Sequence, residues 1–86
     1  MAYYKNNFKQ YTEPGNIDLD QNTNAITFVN KGSSAATINN TFVLQQNESI
    51  VIAGNVNEVD KTLYFVFFDI ADTDRNLQVI TKTYCN

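Results

Sequence analysis

The chain has 86 residues and a net charge of −3. At this length one domain buries only about 60–65% of its unfolded surface, which excludes a large, deep catalytic cleft. Its few basic residues exclude a nucleic-acid-binding stripe. Because it has no histidine, neither catalysis nor metal binding by an imidazole is possible. A single cysteine, Cys85, excludes an intrachain disulfide. The composition therefore predicts a folded, non-enzymatic protein that works by binding or assembly, without a cofactor.

The apolar runs are short. The longest, 63–68, is too brief for a membrane span, and residues 1–11 lack the apolar stretch of a signal peptide. We therefore expect no membrane partner and assembly in a cytoplasm.

Residues 1–24 differ from the rest in charge and composition. Residues 1–12 carry a net charge of +2, whereas the rest of the chain carries −5. The segment 1–24 also contains the only proline, Pro14. Helix propensity is poor here, so the pattern predicts an extended arm that ends near 13–15. Since arms fray unless their side chains dock, we expect its aromatic residues to bind a larger surface, and deletion of 1–12 to abolish docking but leave the body folded. These residues are Tyr3, Tyr4, Phe8 and Tyr11.

From residue 25 onward, apolar and polar residues alternate with period two, and turn residues recur about every ten positions. The predicted strands are 25–30, 35–44, 49–53, 61–70 and 77–84. The inward side chains are expected to be Ile26, Phe28, Ala36, Ile38, Phe42, Leu44, Ile50 and Ile52. The sequence thus predicts an all-β fold: a small antiparallel β-sandwich or open barrel of five to six strands over 25–86, preceded by the arm 1–24.

Asparagine, with thirteen copies, favours turns. Asn40 interrupts the inward face of segment 35–44, and two interpretations remain open. It marks a β-bulge, or Asn39-Asn40 forms a two-residue hairpin turn that divides the segment into two strands.

The segment 61–70 is apolar on both faces, which is unusual in a small sandwich. Either the N-terminal arm or a loop covers its second face, or another copy of the chain does. The second interpretation predicts an oligomer interface in which Tyr64→Asp or Phe68→Asp yields folded monomer. The predicted interface residues are Tyr64, Val66, Phe68 and Ile70.

An acidic turn follows that segment. Asp72, Asp74 and Asn76 have the opening spacing of a calcium loop. Leu77 stands where such a loop needs glycine, and Thr83 where it needs a bidentate glutamate. The pattern favours an ordinary hairpin turn, so we predict no metal site.

Two stretches carry a family resemblance. Residues 44–55 (LQQNESIVIAGN), followed by Glu58, Asp60 and 63–68 (LYFVFF), resemble small β-sandwich virion proteins of tailed bacteriophages. Such proteins decorate the capsid, form head fibres or attach to the tail, often as trimers, and carry N-terminal arms.

The resemblance implies a non-enzymatic structural protein of a phage particle. It implies a homo-oligomer, with a trimer favoured, that binds a major capsid or tail protein and is located in the virion. The alternative is a lectin-like module that binds host-surface glycans, since exposed Asn, Gln and Tyr side chains are typical of carbohydrate-binding surfaces.

Overall fold

The computed structural model describes residues 3–19, 21–55, 58–70 and 73–85. These segments contain eight strands and no helix, which confirms the predicted all-β class. The strands are β1 (Tyr3–Tyr11), β2 (Gly15–Ile17), β3 (Thr23–Asn30), β4 (Ala36–Ile38), β5 (Phe42–Leu44), β6 (Ser49–Ala53), β7 (Tyr64–Phe68) and β8 (Leu77–Cys85).

The strands form two four-stranded antiparallel sheets, as the predicted sandwich requires. The first sheet has the order β1-β8-β3-β6, and the second has the order β2-β7-β4-β5. Six strands lie in the predicted body, and residues 3–17 contribute two more.

The core lies between the two sheets and follows the period-two alternation of their strands. Its fully buried centre includes Phe28 and Ile26 of β3 and Val66 of β7. The buried apolar residues are Ile17, Ile26, Phe28, Ala36, Ile38, Leu44, Tyr64, Val66, Phe68, Leu77 and Val79. The inward residues predicted from alternation on β3 and β4 are all among them.

The predicted N-terminal arm is part of the sandwich. Residues 3–11 pair with β8 along its whole length, from Tyr3↔Cys85 to Tyr11↔Leu77. Residues 15–17 pair with β7, and β3 already begins at Thr23. The alternation of apolar residues does not predict this pairing, because part of the inner face of β1 is polar and meets threonines. Asn7 lies opposite Thr81, and its Nδ2 donates to Thr83 Oγ1 at 2.7 Å.

Asparagine forms several tight turns. Asn39 and Asn40 have positive φ angles of 52° and 61° between β4 and β5, and Thr41 N donates to Ile38 O at 3.2 Å. Asn39 and Asn40 are thus the central residues of a β-turn that divides the segment into two strands, as the second interpretation predicts. The connection is one residue longer than predicted, because Ile38 pairs with Phe42. Asn22 and Asn47 also have positive φ angles.

Two asparagines act in the interior instead. Asn30 is fully buried; its Nδ2 donates to Ser34 O and Leu44 O, both at 2.9 Å, and so ties β3 to β5 of the other sheet. Asn24 sits in a register shift of β3 and donates to Asn55 O and Glu58 O. Each satisfies backbone carbonyls that burial would otherwise leave without donors.

Candidate interaction surfaces

The outer face of the first sheet is broad and open. The strand register places rows of outward side chains across the four strands, and the central row runs from Phe8 through Ile80 and Thr27 to Val51. Phe8 is 74% exposed and Val51 62% exposed. These two apolar side chains, at opposite edges, therefore lie in solvent.

The same face is nearly free of charge. Its outward residues are Tyr4, Asn6, Phe8 and Gln10 of β1, Gln78, Ile80, Lys82 and Tyr84 of β8, Ala25, Thr27 and Val29 of β3, and Ser49, Val51 and Ala53 of β6. Lys82 is the one charged member, and its Nζ lies 3.8 Å from the centre of the Tyr4 ring. The Tyr4 and Tyr84 rings are 5.0 Å apart. A face of this composition resembles the weakly charged centre of a protein interface.

The residues predicted to dock as an arm do not all lie on one face of the sheet. Tyr4 and Phe8 lie exposed on the outer face of the first sheet. Tyr11 faces the other way and packs against the core, and its hydroxyl accepts a hydrogen bond from Asp18 N at 3.1 Å. The side chain of Tyr3 lies outside the described residues. These residues are therefore not presented on a separate arm, and Tyr4 and Phe8 belong to a sheet face.

The interface predicted on β7 requires a correction. Tyr64, Val66 and Phe68 are buried in the core of the single chain, so they are not available to a second copy. Aspartate at Tyr64 or Phe68 would place a charge in this core instead of releasing a monomer. Ile70, 90% exposed, lies beyond the end of the strand.

The second apolar face of β7 is the exposed one. Phe67 is half exposed and lies in a row with Thr37 and Val43. Its ring contacts Phe65 edge-on, with ring centres 5.6 Å apart. Thus β7 has two apolar faces, as its sequence indicates, but the core is on the side predicted to be the interface.

The sandwich is open along the side where β5 and β6 are the edge strands. A groove of about 170 Å³ lies there, lined by Phe28, Ile38, Asn39, Thr41, Phe42, Ile50, Ile52 and Tyr64. We call it the lateral groove. Ile50 and Ile52 face inward but are only partly buried, and Phe42, also predicted inward, is 44% exposed. The core is therefore incomplete along this side.

Tyr64 also forms a polar contact beside the groove. Its hydroxyl donates to Asp60 Oδ2 at 2.7 Å, and Asp60 Oδ1 accepts from Thr62 N at 2.8 Å. Burial, together with the hydrogen bond to Asp60, raises the pKa of Tyr64 to about 12. Burial by itself would raise the pKa of Asp60, but the hydrogen bonds from Thr62 and Tyr64 outweigh it and lower that pKa. The pair stabilises the loop before β7.

The acidic turn does not assemble a cation site among the described residues, where no group of three carboxylate or thiol side chains converges. Asp72 lies outside them. Asp74 accepts hydrogen bonds from Ser33 N and Ser34 N, and Asn76 O accepts from Lys31 N. These contacts hold the turn after β3. A Cβ at Gly32 would lie 2.7 Å from Asn76 N, so this close approach requires glycine.

Carboxylates elsewhere also hold loops. Glu48 Oε1 accepts from Gln45 N, and Glu58 Oε1 accepts from Asn55 N, each at 2.6 Å. These two carboxylates cap tight turns rather than converge on a shared pocket.

Comparison of the chain with protein-family models, with curated proteins and with solved structures finds no match. Within the described segments, no helix has the length and apolar character needed to cross a membrane. The function is therefore inferred from the geometry of the surfaces.

Sequence analysis missed the outer face of the first sheet because β1 was not recognised as a strand. Its outward residues alternate between aromatic and amide side chains from Tyr4 to Gln10. That alternation, together with the outward Gln78, Ile80 and Tyr84 of the last strand, is the signal that could have revealed the face.

Proposed function

We propose that the protein is a non-enzymatic structural component of a bacteriophage particle, and that it works by assembly with copies of itself and with a capsid or tail protein. The observation that carries this proposal is the weakly charged outer face of the first sheet, with Phe8 and Val51 exposed at the two ends of its central row. The resemblance of residues 44–68 to phage virion proteins supports the setting.

The outer face would act by hydrophobic burial. Covering apolar area stabilises a complex by about 25 cal/mol per Å², and a flat sheet face meets a flat partner with little rearrangement. A charged partner surface would lose hydration without gaining an ion pair, except near Lys82. The partner surface is therefore an apolar, weakly charged patch of a larger shell protein, with a carboxylate placed to reach Lys82.

Self-association is the second element of the proposal. The family resemblance suggests a trimer, whose mass would be three times 9.8 kDa. A closed oligomer presents several identical faces to the shell and so raises the apparent affinity of each.

The proposal is tested on gradient-purified phage particles from a host that carries the gene. Quantitative mass spectrometry should detect the protein in a fixed ratio to the major capsid or tail protein. Phe8→Lys should lower that ratio at least tenfold, because it places a charge at the most exposed apolar residue of the outer face. Asn16→Lys, an equal charge at an exposed position of β2 in the second sheet, should leave it unchanged. Absence of the wild-type protein from particles would refute the proposal.

A carbohydrate-binding module is the alternative, and one observation favours it. The Tyr4 and Tyr84 rings lie together on the outer face, and the amide of Asn6 is the next outward side chain along β1. Aromatic rings and amides together suit the apolar faces and hydroxyls of a sugar. Binding on a glycan array that Tyr4→Ala abolishes would favour this alternative, whereas a structural component should bind no glycan.

A further inference from the structure

The four edge strands of the two sheets differ in how they avoid pairing with other chains. Natural edge strands are shortened or carry lysine or proline, because an open edge is a template for another strand. β1 carries Lys5 and Lys9, β2 has three residues and follows Pro14, and β5 has three residues. β6, with five residues (SIVIA), carries no charge and no proline.

Among the described strands, β6 pairs only with β3, so its other edge is open. Gly54 N donates to Asn24 O at 3.2 Å, and Asn30 N donates to Glu48 O at 3.0 Å, so the even-numbered residues of this segment point their backbone groups toward β3. Backbone groups alternate in direction along a strand. Those of Ser49, Val51 and Ala53 therefore point toward the open edge.

The side chains of β6 also leave apolar surface uncovered. Val51 is 62% exposed on the outer face, and Ile50 and Ile52 are only partly buried along the lateral groove. A strand added at this edge would cover both surfaces at once.

We propose that a second copy of this chain pairs with β6 in antiparallel register, about a two-fold axis at Val51. In this register Val51 lies opposite Val51 of the second copy, Ser49 opposite Ala53, and Ile50 opposite Ile52. Each outward-facing residue then exchanges two backbone hydrogen bonds with its opposite, as hydrogen-bonded pairs of an antiparallel ladder do. β-branched cross-strand pairs stabilise such ladders.

The charges on the two edge strands of the first sheet favour self-pairing at β6 over self-pairing at β1. Within β6 the two-fold register brings no two charges together. The equivalent two-fold register of β1, about Asn7, would place Lys5 opposite Lys9 of the second copy, and like charges directly opposite are destabilising. In the register centred on each strand, β6 therefore pairs with itself without charge repulsion, whereas β1 does not.

The dimer would have one continuous eight-stranded sheet. The apolar row from Phe8 to Val51 would continue through Val51 of the second copy, so that the outer face doubles in width about the axis. The pairing is isologous and closes as a dimer. The structure thus favours a two-fold arrangement over the three-fold one suggested by the family resemblance. This inference stands whether or not the protein belongs to a phage particle.

Solution mass is the first test, by size-exclusion chromatography with light scattering on the full chain. The wild type should have twice the 9.8 kDa monomer mass. Val51→Lys should halve the mass, because it places two lysines on the axis, while an exposed edge position tolerates lysine in the folded monomer. Gln10→Lys, which adds the same charge on the other edge strand of the same face, should remain a dimer.

Several results would overturn the pairing. A monomeric or trimeric wild type would do so, and so would a dimer that Val51→Lys leaves intact. If Phe8→Lys gives a monomer and Val51→Lys does not, association uses the outer face instead. Open-ended aggregates of the wild type would show that the edge pairs without closing.

Amide hydrogen exchange on the wild type tests the pairing even if Val51→Lys fails to fold. The amides of Ser49, Val51 and Ala53 should become protected as protein concentration rises. Those of Ile50 and Ile52 bond to β3 and should be protected at every concentration. Fast exchange at Val51 under conditions in which the protein is dimeric would refute the proposed edge contact.

Discussion

The two lateral sides of the sandwich are closed in different ways. On the side of β1 and β2, Tyr11 and Leu19 pack against the core. The backbone of Asp18 joins the sheets there: its carbonyl oxygen accepts from Lys9 Nζ at 2.9 Å, and its N–H donates to the Tyr11 hydroxyl. On the side of β5 and β6, the lateral groove leaves Phe42 half exposed. One side is sealed by the chain's own N-terminal segment, whereas the other has apolar edges suited to another chain.

Removal of the closed side should have the largest effect. Deletion of residues 1–12 removes the β1 partner of β8 and the Tyr11 contact, and a domain of this size has only about 5 kcal/mol of stability to lose. In contrast to the folded body expected from the sequence alone, we now expect no cooperatively folded protein, as measured by circular dichroism and thermal unfolding. The double variant Asn6→Thr/Gln10→Thr keeps the strand and should fold. A truncated chain with wild-type thermal unfolding would show that β1 is dispensable.

Two residues of β5 compare the core with the open side directly. Leu44 is 2% exposed and Phe42 is 44% exposed. Leu44→Ala should cost about 2–4 kcal/mol of unfolding free energy because it leaves a cavity, and Phe42→Ala should cost about 1 kcal/mol because its ring is already half in water. Urea denaturation of both in the Val51→Lys background excludes any contribution from association. Equal costs would mean that the groove is closed in solution.

Removal of the hydrogen bond between Tyr64 and Asp60 should cause the next largest loss of stability. Tyr64→Phe should lower the unfolding free energy by about 1 kcal/mol at neutral pH, because the partly buried carboxylate of Asp60 loses a donor. Tyr4→Phe, on the exposed outer face, should change it by less than about 0.5 kcal/mol. Equal effects of the two variants would contradict a stabilising role for the pair.

This pair should also make stability depend on pH at both extremes. The pKa of Asp60 is lowered from 3.8, so its contribution is present above that value and is lost as pH falls through the lower, folded pKa. The pKa of Tyr64 is raised from 10.0 to about 12, so its contribution is complete below pH 10 and is lost as pH rises toward 12. Urea denaturation across pH should show the wild type losing its advantage over Tyr64→Phe at each end. A constant difference would rule out this linkage.

The smallest loss of stability is expected from removal of the Tyr11 hydroxyl on the side of β1 and β2. Tyr11→Phe removes the acceptor for Asp18 N but keeps the ring against the core. The contact is solvent-exposed, so the loss should be about 0.5–1 kcal/mol by urea denaturation. A loss as large as that of Leu44→Ala would mean that the hydroxyl, and not the ring, holds this side together.

The sequence by itself determined the fold class and most of the body. Alternation in 25–30 and 35–38 identified the buried faces of β3 and β4, because the larger apolar side chains of each strand fall on one face. Asn39-Asn40 determined a hairpin turn, since asparagine tolerates the positive φ that such a turn requires. The apolar character of 63–68 indicated a strand with two apolar faces, which β7 has.

Only the tertiary structure decided which face of β7 is buried, because both faces are apolar and alternation cannot rank them. It also decided that residues 3–11 form a strand, since the inward side chains of β1 include Lys5, Asn7 and Lys9, and part of that face meets the threonines of β8. The open edge at β6 was likewise invisible in the sequence, because SIVIA is equally suited to a central strand and to an edge. Local pattern shows which residues can be buried, but the order of strands in a sheet decides which surfaces remain for a partner.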